Sequence, residues 1–186
     1  MKQITGYERD ALILEIIERI ERDTQVIGAP ERTAIWERGW SEALEKFRAN
    51  PCEESLIPAF IHGKNPVRKN SKFYQPTGGE ELAHCRNMQV EIGDRLQGCD
   101  SIAEFGCGTG WNLVALAKRF PDKIFSGLDF TVAPDDLFDE IHHHLGVTVD
   151  FGTFDMRSPD ADERIEGGAF TFGAVEQLAR NWQPFF

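Results

Sequence analysis

The feature that most constrains this chain is a glycine-rich turn between a short apolar run and an amphipathic stretch. Ser101-Ile102-Ala103-Glu104-Phe105 reads as a strand and Gly106-Cys107-Gly108-Thr109-Gly110 as the turn. Leu113, Leu116, Ala117 and Phe120 then repeat at helical spacing, and Pro121 stops the helix. Glycines let the backbone bend tightly and approach a ligand closely. The helix behind them offers N–H groups and the positive end of its dipole.

The alternation continues to the C-terminus. Residues 123–129 read as a second strand, 135–145 as a helix closed by Gly146, 147–154 as a third strand and 168–173 as a fourth. Strands alternating with helices specify an α/β fold: a mainly parallel sheet with helices on both faces. The preceding chain reads as helical. Leu12, Ile16 and Ile20, beside Ile13 and Ile17, form one stripe, and Gly28-Ala29-Pro30 breaks it. Trp36, Trp40, Leu44 and Phe47 form a second stripe, where the tryptophans are read as packing anchors. From Pro58 to Pro76 the pattern is irregular. Thr77 caps a further helix, with Leu82, Cys85, Met88 or Gln89, Ile92 and Leu96 buried and Gly98 closing it. The expected division is a helical N-terminal cap and substrate region over 1–76, and a sheet domain over 77–186.

Composition narrows the classes of function. With 186 residues, 41% hydrophobic and 27% charged, the chain reads as a soluble globular protein. It has neither an apolar run of the roughly 20 residues needed to span a bilayer nor a signal-like N-terminus. A cytoplasmic location is the expectation. The net charge of -11 disfavours a nucleic-acid substrate, because phosphate binding needs a basic face. Lys64, Arg68, Lys69 and Lys72 are read as a solvated loop. Cys52, Cys85, Cys99 and Cys107 lack paired spacing and are expected reduced and mostly buried. Three adjacent histidines, His142-His143-His144, point about 100° apart on a helix, so a helix surface is expected there rather than a metal site.

Ligands of open parallel sheets bind at the carboxyl ends of the strands. Asp129 ends the second strand, where a carboxylate can accept from ribose hydroxyls, and Asp155 ends the third, near an exocyclic amine of a base. A glycine turn alone is weak evidence, since dinucleotide enzymes use one too. Here the glycines are evenly spaced, not arranged as G-x-G-x-x-G, and Trp111 crowds the place a pyrophosphate would approach. Glu104 adds negative charge, which suits an ammonium and a sulfonium better than an anion.

Glu104-x-Gly106-x-Gly108-x-Gly110 resembles the first motif of class I S-adenosylmethionine-dependent methyltransferases of the small-molecule type. Asp129 in Gly127-Leu128-Asp129-Phe130, Asp155-Met156, and the run Gly168 to Gly173 match three further family positions in order. The resemblance covers about Leu82 to Glu176. It implies S-adenosylmethionine as cofactor and in-line methyl transfer to a small-molecule acceptor. Glu104 then belongs to the cofactor site, and Gly106, Gly108 and Gly110 hold the methionine part. Asp129 binds the ribose, Phe130 and Met156 flank the adenine, Asp155 meets its amine, and Gly173 lies beside the methionine moiety. The resemblance leaves the catalytic group open; Glu176, His84 and His62 are candidates by location.

A complete domain of that family has seven strands in the order 3-2-1-4-5-7-6. This chain reads as running out after the fourth, ending Asn181-Trp182-Gln183-Pro184-Phe185-Phe186. The expectation is therefore a truncated domain that self-associates through its exposed fourth strand or its aromatic tail. Two alternatives stand beside the methyltransferase: a cofactor-binding module without activity, and, remotely, an NAD-dependent oxidoreductase.

Overall fold

A computed structural model of the chain describes residues 1–22 (side chains through Glu18), 33–61, 63–159, 165–175, 177–178 and 182–186. In chain order the first elements are β1 (Lys2–Ile4), α1 (Gly6–Arg22), α2 (Thr33–Ala49), a 3-10 turn (Glu53–Leu56), β2 (Val67–Lys69) and β3 (Lys72–Gln75). There follow α3 (Glu80–Leu96), β4 (Ser101–Phe105), α4 (Trp111–Arg119), β5 (Ile124–Asp129), α5 (Pro134–Leu145), β6 (Asp150–Thr153) and β7 (Gly168–Thr171). A 3-10 turn, Gln183–Phe185, comes last. No helix among the described residues is long and apolar enough to cross a membrane.

Two compact units divide the chain: Met1–Val26 with Ala59–Met88, and Ile27–Pro58 with Gln89–Phe186. The units are each drawn from two segments of the chain, whereas the sequence suggests a single division after residue 76. Leu44 and Phe47 of α2 are buried, Phe47 meets His144 of α5 edge-on at 6.3 Å, and Arg48 pairs with Glu140 at 2.7 Å. The α2 stripe therefore belongs to the core of the parallel sheet's unit.

The first unit is also less helical than expected. β1, β3 and β2 form a three-stranded antiparallel sheet in that order. The stretch read as irregular contains the β2–β3 hairpin, turning at Asn70 and Ser71 with φ of 50° and 62°. Two left-handed residues match the twist of the flanking strands. Lys64, Arg68, Lys69 and Lys72 are exposed as expected, the last three on the hairpin itself. On α1, Leu12 and Ile13 are half-buried while Ile16 and Ile17 are exposed. The Met1 ammonium and the Thr77 hydroxyl both donate to Glu80 Oε1, at 2.8 and 2.6 Å, ahead of α3.

The second unit holds four parallel strands in the order β6-β5-β4-β7. That is the 3-2-1-4 order of a Rossmann-like sheet. Ile102, Glu104, Gly127, Phe151 and Gly168 share one face by register. Gly127 lies against Leu113 of α4 and Phe138 of α5, and Gly168 against Leu96 of α3. Phe138 stacks on Phe151 at 5.7 Å. Among the described residues α3, α4 and α5 lie on that face, as an α/β sheet flanked by helices requires. On the opposite face Phe105 meets Phe154 at 5.0 Å and Phe185 of the aromatic tail at 4.9 Å. Helix ends follow their chemistry: Pro134 opens α5 and Gly146, at φ 64°, closes it.

Candidate functional site

β4 and β5 run side by side, pairing Glu104 with Gly127 and Phe105 with Leu128, so their carboxyl ends are level. The glycine turn folds across the end of β5: Gly106 and Cys107 donate to the Leu128 carbonyl at 2.7 and 3.1 Å. Its three glycines all take left-handed φ, at 71°, 51° and 69°. The fold presses on each of them. A Cβ on Gly106 would lie 2.3 Å from Ala174 Cβ, one on Gly108 would lie 2.7 Å from the Trp40 ring, and one on Gly110 would lie 2.5 Å from Phe138. Thr109 fixes the middle of the turn by donating to the Leu56 carbonyl at 2.6 Å.

Glu104 is 1% exposed. Its Oε1 accepts from Asn112 Nδ2 at 2.7 Å, while its Oε2 is buried without a partner. Burial is the largest influence on its acidity and pushes it up to about 8, with the nearby Asp129 charge adding to the rise and Asn112 opposing it. The Cys107 thiol is likewise raised, first by burial.

Asp129 is a structural acid as well as a candidate ligand. Its Oδ1 accepts from the N–H and hydroxyl of Thr131, at 3.1 and 2.8 Å, and its Oδ2 accepts from the Gly108 N–H at 3.1 Å. Burial still raises its acid range, against those hydrogen bonds. The backbone N–H of Phe130 also stabilises this carboxylate.

Asp155, expected to meet a base amine, is gripped by Arg157. Nε donates to Oδ1 at 2.8 Å and Nη2 to Oδ2 at 2.8 Å. That fork lowers the acid range of Asp155. The same guanidinium lies 5.2 Å over the Phe130 ring. Met156 is buried with its methyl 3.6 Å from the Cβ position of Gly106. Gly173, at φ 75°, accepts from Gln177 through its carbonyl at 2.6 Å. Beside it, the Thr171 hydroxyl is buried without a partner.

Trp111 is 3% exposed and is a core residue. The bulk beside the turn is instead the ring of Trp40, which stacks with Trp36 at 5.3 Å and rests on Gly108. The sequence marks Trp40 only as a packing anchor; a tryptophan on a remote helix carries no local sign of what it will cover. Asn112, Gln89 and Arg157 were also missed as site residues, although a polar Asn112 inside an apolar helical stretch was a usable sign. His84 is exposed on α3, and His62 and Glu176 lie outside the described residues. The three histidines sit exposed on α5, as expected. All four cysteines are free, with Cys85 and Cys107 buried.

No family model matches the chain, and no curated relative does. It is similar to several solved structures. Geranyl diphosphate methyltransferase in complex with GPP and sinefungin is 15% identical, over 84% of this chain and 63% of its own, with a TM-score of 0.48. The N-terminal domain of EvdMO1 with SAH bound is 17% identical over 71% of this chain and 56% of its own, with a TM-score of 0.45. The plantazolicin methyltransferase BpumL, with a monoazolic desmethylPZN analog and SAH, is 14% identical over 81% of this chain and 56% of its own, with a TM-score of 0.40. The chain spans less than two thirds of the length of each of these proteins. By its own strand order, parallel pairing and glycine turn at the end of β4, the second unit is a Rossmann-like α/β fold.

Proposed function

We propose that this chain binds S-adenosylmethionine at the carboxyl ends of β4 and β5, as the cofactor-binding part of a methyltransferase for small-molecule acceptors. One observation carries the reading: a buried carboxyl with an unpartnered oxygen, Glu104 Oε2, stands directly before three left-handed glycines. Burial favours the neutral form of such an acid, and when it ionises it pairs with a cation and opposes a pyrophosphate. The Trp40 ring rests on Gly108 beside it.

S-adenosylmethionine supplies a methyl group on a cationic sulfur. In this reading Gly106, Gly108 and Gly110 admit its amino-acid part, with Glu104 as the acid facing its positive charge. Asp129 Oδ2 takes a ribose hydroxyl, Phe130 and Met156 flank the adenine, and Asp155 meets its amine once Arg157 yields. The chain's contribution to the reaction is alignment and exclusion of water, with Trp40 shielding the turn. A general base is needed only for a hydroxyl or protonated-amine acceptor.

Equilibrium binding tests the reading: S-adenosylhomocysteine should bind the chain at one site, and NADH, followed by its fluorescence, should not. Tight NADH binding without S-adenosylhomocysteine binding would turn the assignment to an oxidoreductase. A second reading, a cofactor-binding module that transfers no methyl group, is favoured by the Arg157 fork on Asp155. Binding without transfer to any acceptor would support it.

A further inference from the structure

Behind the glycine turn, three buried polar side chains form a relay. Gln89 on α3 donates through Nε2 to Asn112 Oδ1 at 3.0 Å, and Asn112 on α4 donates through Nδ2 to Glu104 Oε1 at 2.7 Å. The three are 8%, 9% and 1% exposed. The relay has a direction. Because the Asn112 oxygen is taken by Gln89, its NH2 group faces the carboxyl; a flipped Asn112 amide would set NH2 against NH2 at Gln89 and oxygen against carboxylate oxygen at Glu104. Two of the three residues are thus satisfied by one another, and the relay ends on the open Oε2 of Glu104.

Leaving a buried acceptor without a partner costs about 1–3 kcal/mol, so this arrangement calls for a donor from outside the fold. The charged and titratable groups facing Glu104 do not supply one. Asp129 faces it from β5 and the Cys107 thiol from the turn, while α3 and α4 present neutral amides. Among the described residues, none of the groups acting on Glu104 is a cation.

We propose that Gln89 and Asn112 are positioning residues that hold Glu104 with Oε2 open to the cationic centre of an adenosyl amino-acid ligand, which binds in exchange for the Glu104 proton. The inference rests on the S-adenosylmethionine reading of the site. The exchange balances: a neutral carboxyl and a cationic ligand give a carboxylate–cation pair, and the proton passes to solvent. Below the raised acid range of the free chain, affinity must then climb with pH, by about tenfold per unit for one proton.

The test is calorimetric titration of the full chain with S-adenosylhomocysteine between pH 5.5 and 7.5, in two buffers of different ionisation enthalpy. The wild type should release close to one proton per ligand at the acid end, and Glu104→Gln should abolish the release. Asn112→Leu removes a hydrogen bond that favours the carboxylate. It should weaken binding at pH 7 by roughly tenfold and extend proton release to higher pH. Gln89→Leu should do the same to a smaller extent, and it keeps the test open if Asn112→Leu does not fold. A mere packing role for the two amides would weaken binding equally at every pH. Binding with pH-independent affinity and no proton release overturns this inference while leaving the functional reading intact. No binding of S-adenosylhomocysteine to the wild type overturns both.

Discussion

The backbone N–H of Gly108 donates to Oδ2 of Asp129 across 3.1 Å, joining the middle of the glycine turn to the end of the neighbouring strand. The acid that sequence position marks as a ribose ligand therefore also shapes the turn. Gly108 is constrained on its other side by the Trp40 ring, 2.7 Å from where a Cβ would stand, and its φ is 51°. Gly108→Ala should destabilise the chain by about 2–5 kcal/mol, combining left-handed strain with overpacking. In a Trp40→Ala background the loss should shrink to roughly 1–2 kcal/mol, the strain alone. Urea unfolding of the four proteins measures the difference; equal losses in both backgrounds would mean the ring does not rest on the turn.

The raised acid range of Glu104 has a consequence for stability. An ordinary glutamate titrates near 4.5, and burial moves this one to about 8. Between those values the folded chain holds a proton the unfolded chain has released. The contribution of Glu104 is therefore whole below 4.5 and falls as pH rises through 8. Glutamine imitates the neutral acid at every pH. Relative to wild type, Glu104→Gln should gain stability from pH 5 to 8, on the order of a few kcal/mol. Parallel stability profiles for the two proteins would contradict the burial of a neutral carboxyl.

Arg157 holds Asp155 and covers Phe130 at once. An adenine seated on Phe130 and reaching Asp155 must displace that guanidinium. Arg157→Ala should strengthen S-adenosylhomocysteine binding by about three- to tenfold, roughly the net value of one hydrogen bond. Asp155→Ala should weaken it. Weaker binding in Arg157→Ala would instead make the arginine a ligand contact.

Among the described residues β7 pairs with β4 on one side and with no strand on the other. Trp182 and Phe186 are exposed at 45% and 81%. An unpaired parallel edge beside exposed aromatic rings favours association. We propose a dimer or higher assembly through β7 or the aromatic tail. Sedimentation at micromolar concentration should show it, and Ala169→Lys on β7 should weaken it if the edge is used; a monomer throughout would rule it out.

The parallel sheet was legible because each signal was local. β4 falls where its apolar run stands, α4 and α5 end beside Pro121 and at Gly146, and Asp129 and Glu104 lie at strand ends. The antiparallel sheet was not legible. β1, β2 and β3 are three or four residues long, too short to show alternation, and Pro66 and Pro76 flank the hairpin. The grouping of α2 with the parallel sheet was hidden for another reason: its stripe reports that Phe47 is buried, not what buries it. The site shows the same divide. Its glycines and acids carry spacing, whereas the contacts of Trp40, Gln89 and Arg157 depend on tertiary packing or side-chain direction.

The central claim is that these strand ends hold an adenosyl amino-acid ligand. Calorimetric titration of the full chain with S-adenosylhomocysteine at pH 7.5 tests it most directly. The account predicts one site per chain, weakened by at least about tenfold in Asp129→Ala and unaffected by added NADH. No binding, or binding that NADH displaces, would contradict it.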